Sequence, residues 1–125
     1  MISKSDCKKI VDLAVEHGKG KVDGVEVIVT GSEVATSRFA NNGMTQNQAP
    51  SNVNFSVRVV SDGRQARLCG DDFSPEGVKQ VVDNAITAVK FVAKDDGLLP
   101  IPDLAATKPP AESYVSRFDD ATARL

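Results

Sequence analysis

The chain has 125 residues, a formal net charge of −2, and 41% hydrophobic against 26% charged residues. That length fits one domain with a core that needs neither disulfides nor metal, and the weakly acidic balance supplies no field that would draw DNA or RNA, so direct nucleic-acid binding is disfavoured. No apolar run approaches the roughly 20 residues of a membrane span, the N-terminus lacks a signal-peptide core, and the separated Cys7 and Cys69 form no disulfide or zinc-finger pattern, which points to a reduced, cytoplasmic setting.

Residues 5–18 read as a helix. Ser5 or Ser3 can cap it, and Asp6 suits its positive end. Cys7, Ile10, Val11 and Ala14 fall at helical spacing and make one apolar stripe, with Gly18 and Gly20 ending the run. Val25 to Thr30 reads as a strand with Val25, Val27 and Val29 on one face and Ile28 on the other. Gly31 is expected to end it. A second strand runs from about Glu33 to Asn41, turns at Asn42-Gly43 as a two-residue hairpin loop, and returns from Met44 to Gln48 as a polar edge.

After a connection at 49–52, Val53, Phe55, Val57 and Val59 alternate with polar residues, the clearest half-buried strand of the chain. Asp62-Gly63 makes a second tight turn, and 64–69 return. Ser74 is an N-cap with Pro75 at the first helical position, and Val78, Val81, Val82, Ala85 and Val89 form the stripe of a second helix ending near 91–94. Strands joined by tight turns are antiparallel. The expected fold is therefore α+β: an antiparallel sheet of four to five strands built from hairpins and packed with two helices.

Four of the six prolines fall at 100, 102, 109 and 110, which reads as an extended linker. The expected division is an α+β domain over residues 1–95 and a Pro-rich linker over 96–125. Phe118 to Leu125 looks like the opening of a further helix, either cut from a longer protein or a frayed natural end. The segment from Gly97 onward is expected to be mobile, or docked only by another chain.

The residues offer little chemistry. A catalytic zinc site needs about three protein ligands, and the single histidine, His17, has no neighbouring ligand motif. A helix-end histidine is explained by the dipole alone. Cys7 lies on the apolar stripe, about 15 Å of helix from His17. Cys69 is either a small buried residue or, as a weaker reading, a catalytic thiol. No phosphate-binding glycine loop is present.

Two surface constellations stand out. The Asp62-Gly63 turn sets Arg58 opposite Arg67. Two like charges facing each other destabilise a sheet, so they either share an acidic partner in a neighbouring domain or peptide, or splay apart into solvent. Around the first hairpin, Asn41, Gln46 and Asn47 belong to an amide cluster that either accepts another backbone by strand addition or serves turn chemistry and solubility. The valine faces are expected to lie under the helices with Ala66 and Leu68. Arg58, Arg67, Ile28 and Val60 would then share the opposite face.

Arg38-Phe39-Ala40-Asn41-Asn42-Gly43, Gln46-Asn47, Val57-Arg58-Val59-Val60, Asp62-Gly63 and Ser74-Pro75-Glu76-Gly77, in this order, resemble the N-terminal domain of the TldD/PmbA metallopeptidase family, also described as modulators of DNA gyrase. The resemblance covers most of the chain. It implies an N-terminal α+β domain followed by a larger domain carrying a zinc motif, proteolysis or peptide processing by the full-length protein, and dimers of active or partner-type subunits.

On that basis the chain is expected to be non-catalytic, with no cofactor of its own and zinc only in a later domain. It would act as scaffold, dimer contact and wall of a peptide site. Its partners would be the parent's C-terminal domain, a second family subunit in a homo- or heterodimer, and the peptide substrate. The alternative is a self-standing α+β interaction module with no protease role.

Overall fold

The computed structural model describes residues 2–102. The helix expected at 118–125 lies outside them. Helix α1 spans Lys4–Gly18 and α2 spans Pro75–Val89; the strands are β1 Gly24–Glu33, β2 Thr36–Ala40, β3 Gly43–Gln48, β4 Ser51–Ser61 and β5 Arg64–Gly70. This is the expected α+β fold. Its five strands divide into an antiparallel three-stranded sheet, β1-β4-β5, and a separate two-stranded hairpin, β2-β3.

Local chemistry sets the helix ends. Ser3, not Ser5, caps α1, its hydroxyl accepting from the Asp6 amide at 3.1 Å. Ser74 caps α2 by accepting from the Gly77 amide at 3.1 Å, with Pro75 in the first turn. These bonds satisfy amide donors that a helix start leaves without intrahelical partners. Helix α2 stops at Val89, short of the expected 91–94.

The β4-β5 register follows the turn as expected: Ser61 faces Arg64, Val60 faces Gln65 and Arg58 faces Arg67. Asp62 (φ 51°) and Gly63 (φ 69°) form the loop, the left-handed pair that matches strand twist. β1 is longer than expected. Gly31 does not end it but pairs with Val53, and pairing continues to Glu33 opposite Ser51. β4 correspondingly starts at Ser51, within the expected connection.

The first hairpin turns one residue earlier than expected. Asn41 (φ 52°) and Asn42 (φ 61°) are the loop residues, and Gly43 already pairs with Ala40. Asparagine tolerates the left-handed region, so the glycine is free to enter the strand. The register shifts between Arg38 and Phe39, leaving Thr45 as the extra residue of a bulge; its hydroxyl donates to the Arg38 carbonyl at 3.1 Å.

The core lies between the inner face of the three-stranded sheet and the two helices. Ile10 and Ala14 of α1, Phe55, Val57 and Val59 of β4, and Val78, Val82, Ala85 and Val89 of α2 form it. Val25, Val27, Val29, Ala66 and Leu68 pack against it, as alternation requires. Cys7, expected in the core, is only half-buried.

The segment from Gly97 onward was expected to be mobile or docked only by another chain; residues 103–125 lie outside the described residues. The described part of the segment after Gly97 packs back on the chain itself. Asp95 donates its amide to the Gly63 carbonyl at 2.8 Å, and Lys94 Nζ reaches Asp62 Oδ1 at 2.8 Å. Leu98 to Ile101 then line, with Gly24, Val60 and Gly63, a cleft of about 240 Å³ on the outer side of the sheet. Val60 points to that outer face yet is only 7% exposed. Proline blocks a helix here, but an extended chain can still lay apolar side chains on a sheet.

Candidate functional site

The outer face of the three-stranded sheet carries an ion cluster. Glu26 in β1 pairs with Arg58 in β4, which pairs with Arg67 in β5, so three charged residues form one cross-strand row. Arg58 Nη2 donates to Glu26 Oε2 at 2.7 Å and Arg58 Nε to Glu26 Oε1 at 3.3 Å. Arg58 Nη1 donates to Gln65 Oε1 at 3.1 Å. Arg67 Nη2 donates to Glu26 Oε1, and its Nη1 to Ser56 Oγ at 2.8 Å.

The Arg58 hydrogen bond, reinforced by Arg67, holds the Glu26 carboxyl below the usual glutamate range, against a smaller opposing effect of burial. The acidic partner that the arginines were expected to seek in a neighbouring domain is thus supplied in part by their own sheet. Two guanidinium groups on one carboxylate still leave one positive charge. Ile28, 47% exposed, lies on the same face.

No motif pointed to Glu26. Its signal was position: it stands on the polar side of a valine strand. Recognising it required the β1-β4 register, and no tight turn fixes that register.

The hairpin is the second constellation. Phe39 and Met44 are cross-strand partners, yet they are 68% and 52% exposed. Ser37 Oγ donates to Asn47 Oδ1 at 3.3 Å, and Gln46 faces Arg38. Asn41 sits in the turn. Of the five sequence-derived surface residues, the structure groups Arg58 with Arg67 on the sheet and Asn41, Gln46 and Asn47 on the hairpin. The exposed Phe39–Met44 pair was missed, because alternation cannot tell a covered apolar pair from an uncovered one.

His17 was read as a helix-end residue. It is held between helices: its Nε2 lies 2.9 Å from Asp83 Oδ1 of α2, and Lys21 Nζ is 3.3 Å from the same nitrogen. That set does not fit a metal, since an ammonium occupies the space beside the two donors and no third ligand is near. Among the described residues no group of three His, Cys, Asp or Glu side chains could hold an ion. Cys69 is exposed on β5. It faces Ser56 across the sheet, whereas Asp83, beside His17, belongs to the helix layer on the other face.

A groove of about 580 Å³ opens on the helix side, lined by Ile2, Ile10, Leu13, Val53 and Phe73. Among the described residues no helix is long and apolar enough to cross a membrane.

The model of the PmbA/TldA metallopeptidase domain 1 matches residues 25–89, from the start of β1 to the end of α2. The chain belongs to this family. Among solved structures, TldE from Thermococcus kodakarensis is similar with a TM-score of 0.70 and 20% identity, over 84% of this chain and 24% of that one. A candidate modulator of DNA gyrase from Bacteroides thetaiotaomicron is similar with a TM-score of 0.65 and 18% identity, over 96% of this chain and 28% of that one. At such identities the likeness concerns the fold. The chain spans about a quarter of the length of each. Among curated proteins, none matches.

Proposed function

We propose that this chain is the non-catalytic N-terminal domain of a TldD/PmbA-like metallopeptidase whose action on peptides, with zinc, is carried out elsewhere in a longer protein. Its role is scaffold, subunit contact and wall of the peptide site. The family match and the quarter-length coverage of the similar structures support this reading.

The observation that carries it is the β2-β3 hairpin. A two-stranded sheet has a free edge on each strand, and this one exposes an aromatic residue opposite a methionine. Apolar side chains beside open backbone donors and acceptors suit pairing with a second subunit or an extended peptide. The amides Asn41, Gln46 and Asn47 keep the arm polar while it is free. The Arg58–Arg67 face is a second contact surface, directed at the rest of the same protein. No nucleic-acid role is proposed, because both arginines are already engaged by Glu26.

The test is the double substitution Phe39→Ser, Met44→Ser in the full-length protein. Both side chains are exposed, so the isolated chain should keep its melting temperature. Light scattering should show loss of the subunit assembly, or peptide hydrolysis should fall through a raised KM. Unchanged assembly and unchanged hydrolysis would remove the support for the contact role.

A further inference from the structure

Strands β1 and β2 form one continuous edge. β1 pairs with β4 and β2 with β3 in a single register, from Gly24 opposite Val60 to Arg38 opposite Gln46. The Val34 amide bridges the gap by donating to the Pro50 carbonyl at 3.1 Å. β5 stops at Gly70, opposite Phe55. Past that pair the ribbon runs on as a two-stranded arm whose residues are nearly all exposed. Two strands without a core are marginally stable in water, so the arm gains from pairing with a further strand.

The two edges of the arm differ. The β3 side carries the bulge at Thr45 and then Pro50, and both devices stop a strand from adding. The β2 side carries neither, and among the described residues no further strand pairs with it. Val34 aims its amide at Pro50, so the alternation of an antiparallel ladder turns the Ala35 amide to the open edge. Gly31 lies on the same edge strand, opposite Val53. A Cβ there would meet Ile2 Cγ2 at 3.7 Å and Val53 Cγ2 at 3.9 Å, ordinary contacts, and its backbone lies outside the left-handed region. Neither conformation nor packing within the chain calls for glycine at this position. Ile2 and Val53 also line the helix-side groove with Ile10, Leu13 and Phe73. Phe39 stands an even number of residues along the strand, hence on the same side of the ribbon, and is 68% exposed. One chain thus presents both an uncovered ring and an apolar seat without a ring.

We infer that two copies of this chain pair arm to arm, β2 beside β2 and antiparallel, with Ala35 facing its own counterpart on a two-fold axis. In that register Phe39 of each copy faces Gly31 of the other and covers it at the mouth of the groove. An aromatic ring laid over a glycine on the neighbouring strand is a favourable cross-strand pair. Arg38 faces Ser32, so the arginines do not oppose each other. The same patch serves both copies, as a two-fold contact requires. This deepens the reading of the hairpin as a contact surface and rests on it: the body that the hairpin meets is a second copy.

Ala35→Cys in a Cys7→Ser, Cys69→Ser background of the full 125-residue chain tests this. Directly opposed residues of a hydrogen-bonded antiparallel pair have Cα atoms about 5.5 Å apart, within disulfide range. Mild oxidation should convert most of the Ala35→Cys chain to a disulfide-linked dimer. Ala49→Cys should stay monomeric. It stands across the ribbon from position 35 in the common register, three strand spacings or about 14 Å from its counterpart. Gly31→Val suits a strand and its own chain but fills the seat of Phe39. Added to the Ala35→Cys chain, it should slow cross-linking about fivefold, the scale of one cross-strand aromatic pair, and Phe39→Ser should do the same. Neither should lower the melting temperature of the chain.

Absence of the Ala35→Cys dimer would overturn the inference. So would equal cross-linking of the Ala35→Cys and Ala49→Cys chains, which would report random collision, or an undiminished rate with Gly31→Val. Because this readout concerns a second copy of this chain, its failure is distinct from failure of the hairpin reading. Loss of assembly or hydrolysis in the full-length Phe39→Ser, Met44→Ser protein, without the cross-link here, would assign the hairpin to a different body.

Discussion

Arg58 and Arg67 are direct cross-strand partners, and both guanidinium groups converge on the single carboxylate of Glu26 in the next strand. Like charges set opposite each other would weaken β4-β5 pairing. The carboxylate reverses that effect and ties three strands together through one row of side chains.

Glu26 therefore contributes a pH-dependent part of the stability. Its folded pKa is depressed below its ordinary 4.5. The contribution should be fully present above about pH 4.5 and be lost as pH falls through the depressed folded value. Glu26→Gln should cost about 1 kcal/mol at pH 7, the scale of a partly exposed ion pair. Thermal melts of both proteins should converge as the pH drops below 4.5. A constant difference down to pH 3 would refute this assignment.

Gly70 ends β5 against the core. A Cβ there would lie 2.7 Å from Phe55 Cζ and 2.8 Å from Val81 Cγ2. Phe55 is fully buried and packs on Phe73 with ring centroids 5.5 Å apart, so it has little room to shift. Gly70→Ala should destabilise the fold by about 1–3 kcal/mol, the usual cost of overpacking. Denaturant titration measures it, and a change below the error of the midpoint would show that the ring moves freely.

Gly24→Val should act on the returning segment and spare the core. The new side chain would push Ile101 away, while valine suits a strand. Exchange of the Asp95 and Leu98 amides, which donate to Gly63 and Asp95, should accelerate about tenfold, equivalent to about 1.4 kcal/mol. Amides of α1 and α2 should keep their rates. Acceleration throughout would mean that the segment is part of the global folding unit.

Asn42→Val should unsettle the hairpin alone. Asn42 holds a φ of 61°, and a residue without asparagine's tolerance pays about 1–2 kcal/mol there. Asn42→Gly should be accepted. Chemical shifts of 36–48 should move toward random-coil values in the valine variant, with those of β4 unchanged.

These residues also show what the sequence made legible. Asp62-Gly63 fixed the β4-β5 register, and hence the Arg58–Arg67 pairing, because a two-residue loop leaves one alignment. Ser74-Pro75 marked the start of α2 for equally local reasons. The β1-β4 register was not legible: Glu26 and Arg58 are joined through a long connection that holds the whole hairpin, and no local rule aligns them. The turn at Asn41-Asn42 was misplaced by one residue because either an Asn-Asn or an Asn-Gly pair can take the left-handed loop. The cover over Val60 was missed because proline content reports what a segment cannot form, not what it packs against.

The central claim is that this chain supplies contact surfaces to a metallopeptidase and not its metal chemistry. The most direct measurement is elemental analysis of the purified 125-residue chain after equilibration with zinc and removal of free metal. The account predicts well under one zinc per chain, since His17 and Asp83 share their space with the Lys21 ammonium and two donors fall short of the about three protein ligands of a catalytic site. One tightly held zinc per chain would contradict it.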